Sequence, residues 1–244
     1  MTDKIHQLHI GEERIRSESL RRSAACSNLS AHLELLESSM DVIYVLLPLK
    51  GDEDADRSAL GNLGIRMFNA LAASLKLLLS GYYQAAALHL RDVLETTFLI
   101  DYFSTDASLI GRWRTVPEGQ RKIQFRPVTI RKALDDRDGY TELKRAKAYD
   151  LLCSLAGHAT PEGVVMLIPV RGANYVHCGP FLENTALEAV LSEAAKIALQ
   201  AAEIFDSMME NQGSEILEEQ LRFAKARAAW IEKFFRTNSN ASEP

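Results

Sequence analysis

The sequence predicts an all-α protein, a multi-helix bundle with one small β-hairpin near residues 164–178. Apolar residues recur at spacings of three and four over most of the 244 residues, the signature of amphipathic helices. The stretch Gly81–Phe103, GYYQAAALHLRDVLETTFLIDYF, is apolar on most sides, as a helix inside a bundle would be. One segment departs from this pattern. Val164–Val170 is largely β-branched and aliphatic, RGAN supplies a turn, and Tyr175–Cys178 can return as a second strand.

In order, residues 1–18 are polar and expected to be loosely ordered, residues 19–236 form a single helical-bundle domain, and the tail 237–244 is too polar to order. Leu29, Leu33, Leu36, Met40, Ile43 and Leu47 place a long amphipathic helix over Ser19–Leu47, stopped by Pro48. Gly51–Arg57, GDEDADR, reads as a solvated acidic loop. It lacks the regular spacing and closing Glu of a calcium loop. Ser58–Leu79 forms the next helix with Leu60, Leu63, Met67, Leu71, Ser74 and Leu78 on one side, and Gly61 and Gly64 can admit another helix closely. Ser80-Gly81 breaks it, so this helix and the central one are expected to be antiparallel neighbours.

A short helix follows through Ile110, then Arg112, Trp113 and Arg114, and Val116–Arg126 reads as an irregular basic loop. Pro127 starts a helix running to about Asp136, and DRDG turns the chain. Tyr140–Ala156 is helical, with Leu143, Ala146, Tyr149, Leu152 and Leu155 toward the core and Gly157 as its cap. Gly157–Gly163 is a tight corner, Phe181–Met209 is a long alanine-rich helix, and a last helix starts at Ser214 and runs to about Phe235. No repeat of constant period is present.

Composition bounds the function. With 47% hydrophobic and 25% charged residues the chain is ordinary for a globular protein, and a net charge of −5 argues against a broadly basic nucleic-acid surface. Cys26, Cys153 and Cys178 are odd in number and far apart, which fits neither a disulfide framework nor a CxxC zinc site. The first residues lack the apolar core of a signal peptide, and no run of about 18 apolar residues could span a membrane. A cytoplasmic protein without membrane contact is expected.

The chemistry-bearing candidates are few. With Arg91 at zero on a helical wheel, Gln84, Glu95 and Tyr102 fall within about 40° of it, inside an apolar surface. An unpaired charge there would cost several kcal/mol, so Arg91 and Glu95 are expected to be partners, as a structural ion pair or as a polar site. His158, in the corner after a helix end, can move a proton or bind an anionic oxygen, or its ring nitrogens can brace the corner. Arg112 and Trp113 can contact a substrate, Trp113 otherwise anchoring the core edge. Cys153 reads as a buried structural cysteine, since no third group orients a Cys-His pair. His6 and His9 offer only two ligands without a scaffold, so no metal and no cofactor are expected.

Arg91 and Glu95 within LRDVLETTFLIDYF, GRW at 111–113, FRPVTIRKAL at 125–134, LCSLAGHATPEG at 152–163 and GPF at 179–181 occur in an order that resembles a group of poorly characterised prokaryotic all-helical proteins, distantly like HEPN domains, over about residues 60–210. The resemblance implies a helical bundle in which Arg91, Glu95 and His158 approach one another, and pairing into a homodimer. Arg171 and His177 match the Arg-x4-6-His spacing of HEPN ribonucleases, in which His deprotonates the 2′-hydroxyl. Here they flank the predicted hairpin instead of lying on a helix.

Two functions follow as expectations. The first is a helical interaction or regulatory protein, homo-oligomeric or with a protein partner, of a prokaryotic stress or defence system. The alternative is a metal-independent ribonuclease acting on RNA, with His158 as general base, Arg91 as phosphate clamp and Glu95 orienting them.

Overall fold

The computed structural model describes residues 2–47, 54–170, 172–209 and 213–236. The elements in order are α1 (Thr2–Ala25), α2 (Ser27–Val45), α3 (Ala55–Leu79), α4 (Tyr83–Phe103), α5 (Ser108–Thr115), α6 (Glu118–Gln124), α7 (Pro127–Arg137), α8 (Lys144–Leu152), α9 (Asn184–Met208) and α10 (Ser214–Ile231). The all-α bundle is as the periodicity predicts. No strand occurs among the described residues, and no helix among them is long and apolar enough to cross a membrane.

The central helix α4 is buried along most of its surface, through Tyr83, Ala86, Ala87, Leu90, Val93, Leu94, Phe98, Ile100 and Phe103. It packs against α3 and α9, while α2 packs on α9 and α10. The pairings Ser74 with Ala86, Met67 with Thr97 and Arg66 with Asp92 run in opposite directions along α3 and α4, which makes them antiparallel. The reversal needs Gly81 in the left-handed region (φ +86°), and a Cβ there would meet the Phe181 carbonyl oxygen at 2.3 Å. Gly64 lets Phe205 of α9 approach α3, since a Cβ would lie 2.4 Å from its ring. At the far side, Trp230 of α10 donates from Nε1 to Nδ1 of buried His32 at 2.9 Å, and Phe234 stacks on the same imidazole.

The hairpin expected at 164–178 does not form. Glu162–Leu167 is instead a 3₁₀ turn. His177 N–H reaches the Leu167 carbonyl at 2.9 Å, so the chain does return, but this is one bond and no ladder follows. A two-stranded hairpin with both faces exposed gains little burial, and Val164, Val165, Val170, Tyr175 and Val176 are all exposed.

Other elements differ at their boundaries. Residues expected to be loose belong to α1, which carries spaced ion pairs such as Arg16–Glu13 and Arg22–Glu18 and is tied to the bundle by Lys76–Glu13 and by Tyr82 to Glu12. The single helix expected over 19–47 is broken at extended Cys26. The acidic run is helical from Ala55 onward, with the Asp54 carboxylate accepting from the Asp56 and Arg57 amides. Its residues 51–53 and the tail 237–244 lie outside the described residues. The basic loop contains α6, and Leu143, expected in the core, is an exposed residue with φ 53° that starts α8.

Candidate functional site

The charged side chains of the central helix meet α7 and α8 at one edge of the bundle. Arg91 and Glu95 do pair, at 3.4 Å, with their side chains 26% and 39% exposed. The pair is thus at the margin of the core. Between them stands Tyr149 of α8, which the sequence assigned only to packing. Arg91 donates from Nη2 to the Tyr149 hydroxyl, which donates to Glu95 Oε2 at 3.0 Å. Arg91 Nε also points at the Cys153 sulfur at 3.1 Å. Burial pushes the Tyr149 hydroxyl up to about 12, and the Glu95 charge and hydrogen bond push the same way. The phenol is therefore a protonated donor at neutral pH.

The backbone beyond Tyr149 also closes on Arg91. The α8 helix ends in a π-turn, Cys153–Gly157, which shifts the register before the corner. Gly157 lies against Arg91, where a Cβ would come to 3.1 Å of Cδ and 3.3 Å of Nε. The corner is braced by Thr160, whose hydroxyl donates to the Ser154 carbonyl and accepts from the Gly163 amide. Gln84 of α4 donates to the carbonyls of Leu155 and Gly163, both at 3.0 Å.

His158 does not join the cluster. Its side chain is exposed and makes no hydrogen bond or ion pair, to Arg91, to Glu95 or to the corner itself; only its backbone N–H is bonded, to Cys153 O at 2.9 Å. The extended backbone after the π-turn directs it outward. Arg171 lies outside the described residues, and His177 is exposed with its ring edge-on to Phe181. His9 bonds Glu12 at 2.8 Å. Among the described residues no three His, Cys, Asp or Glu side chains are grouped to hold a metal ion.

Glu95 also lines a cleft of about 290 Å3 enclosed by α3, α4, α5 and α7. Its walls include Leu63, Phe98, Leu99, Trp113, Phe125 and Ile130, and its charged groups are Arg66, Asp92, Glu95 and Arg131. Trp113 packs on Phe103 with ring centroids 5.8 Å apart, so it serves the core edge and the cleft together. Arg112 is exposed, bonds Gln124 at 3.0 Å and is not part of the lining. Arg66 and Asp92 pair across α3 and α4 at 2.5 Å.

Arg131 is different from the other three charged groups. It is only 8% exposed, its Nε and Nη1 have no hydrogen-bond partner, and no carboxylate pairs with it. Its guanidinium lies over the Tyr149 ring, 4.1 Å from the guanidinium carbon to the centroid, while Arg91 is 4.8 Å from the same centroid. The sequence does carry a signal for Arg131. In PVTIRKAL it lies between Ile130 and Leu134 on the inward face of α7, both of which are buried.

Comparison of the chain with protein-family models, with curated proteins and with solved structures finds no match.

Proposed function

We propose that the protein is a helical binding and regulatory protein that takes a small molecule in the cleft beside Arg131. The observation that carries this reading is a buried guanidinium with unpartnered nitrogens lining a cleft with apolar and aromatic walls. A buried cation without a counter-charge costs several kcal/mol, and a chain that keeps one gains from it when something arrives to pair with it. Apolar walls with a few polar groups supply the rest of a small-molecule site.

The side chains nearest Arg131 suit binding more than proton chemistry. Tyr149 is held protonated, and Glu95 is engaged by Tyr149 and Arg91. Occupancy at Arg131 has a physical route to the corner, because the Tyr149 ring lies against Arg131 and its hydroxyl holds Arg91, which in turn touches Cys153. A prokaryotic stress or defence setting, with a protein partner or a second copy of the chain receiving the signal, belongs to the same proposal.

The test is a fragment titration read by tryptophan fluorescence. A library of single-ring anions, cations and neutral compounds should contain members that change the emission of the native protein but not of Trp113→Phe, and Leu99→Phe, which narrows the cleft without adding an indole, should weaken them. If no fragment perturbs Trp113 emission, the reading fails.

A further inference from the structure

We infer that the ligand of this cleft is a small monocarboxylate built on a single flat ring, with its carboxylate on Arg131. This rests on the cleft being a ligand site and adds the chemistry of what enters it. Charge is the first argument. Of the four charged groups lining the cleft, Arg66 is neutralised by Asp92 at 2.5 Å, and Glu95 by Arg91 at 3.4 Å together with the Tyr149 hydroxyl at 3.0 Å. Arg131 alone among them has no ion-pair partner, so the cleft holds one guanidinium open to an incoming anion.

That count separates the common anions. A carboxylate carries one charge, and its two oxygens suit the fork of a guanidinium. A phosphate monoester dianion brings two charges to a single unpaired guanidinium and leaves one of them unanswered inside the cleft. A nucleic-acid backbone, which presents phosphates in series, exceeds that single guanidinium in the same way.

The walls give the body of the ligand. Phe98, Leu99, Trp113, Phe125 and Ile130 offer apolar and aromatic surface and leave few hydrogen bonds for a polyhydroxylated molecule to satisfy. At about 290 Å3 the cleft is at the small end of the roughly 300–1,000 Å3 typical of such sites, which fits one ring and excludes a dinucleotide.

The experiment uses the full chain at pH 8 with three single-ring probes, benzoate, its neutral isostere benzamide and the dianion phenyl phosphate, read by calorimetry and by thermal unfolding. Benzoate should bind best and raise Tm, with benzamide and phenyl phosphate each about tenfold weaker or more. Arg131→Met and Arg131→Gln should both abolish the preference for benzoate over benzamide, while the unliganded Tm of Arg131→Met stays level or rises. Equal binding of benzamide, or tighter binding of phenyl phosphate, overturns the monocarboxylate assignment and leaves the cleft as a ligand site. Binding of none of the three overturns the assignment, and failure of the fragment titration at Trp113 as well removes the site itself. A benzoate preference that survives both Arg131 variants also overturns it.

Discussion

Two arginines within one corner of the bundle are buried to a similar degree and treated in opposite ways. Arg145 of α8, with its side chain 10% exposed, bonds Asp135 at 2.8 Å and Asp138, and has Asp101 at 3.8 Å. Asp101 also receives Arg137 at 2.7 and 3.2 Å. Only Nε of Arg145 lacks a partner. Arg131, 8% exposed, has an aromatic ring and no carboxylate. The first site shows what this fold does when a buried guanidinium is structural: it surrounds the cation with carboxylates. The second departs from that solution beside a cleft, and the contrast is the physical reason for assigning it a ligand.

The comparison can be broken at several points. The largest effect is expected at Asp135, which is 3% exposed: Asp135→Ala leaves Arg145 short of its best-formed partner and should cost about 3 kcal/mol in urea unfolding. A loss under about 1 kcal/mol would show that the network is not structural. Arg131→Met should go the other way, leaving the unliganded protein unchanged or about 1 kcal/mol more stable, because a hydrophobic side chain replaces an unpaired charge and forfeits only a cation–π contact. Marked destabilisation would place Arg131 with Arg145 as a structural residue.

Glu95→Ala should cost about 1 kcal/mol, well below the cost of breaking a fully buried pair, because Glu95 is 39% exposed and Arg91 keeps Tyr149 and Cys153. Chemical denaturation of the variant measures it. The smallest effect concerns pH. The hydrogen bond from Arg137 holds the Asp138 carboxyl down at about 2, with Arg145 adding to it. A depressed carboxylate contributes stability that is complete above its unfolded value and is lost as pH falls from about 4 toward 2. Urea midpoints across that range should decline less steeply for Asp138→Asn than for the native chain, by less than about 1 kcal/mol for so exposed a pair. Parallel curves would show that the bond is not made.

Much of the fold was legible because helical periodicity is a local property. The central helix, its partner α3, the close approach at Gly64 and the long α9 follow from apolar spacing and glycine placement. The hairpin was misread because β-branched composition marks a strand only where a neighbour completes its ladder, and none does here. The candidate site was half legible. Arg91 with Glu95 could be read from one helix, since i and i+4 meet by geometry alone. Tyr149 at the centre of the cluster depends on how α8 packs against α4, and His158 outside it follows the π-turn at Cys153–Gly157, a register shift that no spacing rule anticipates.

By itself the sequence determined that this chain is a helical bundle and that charge is embedded in its central helix, because both are consequences of which residues recur along a single helix. Only the tertiary structure decided which buried charge is answered. Arg131 and Arg145 are alike as residues on short helices, and what separates them is whether carboxylates from other elements arrive within bonding distance, a matter of packing among segments distant in the chain.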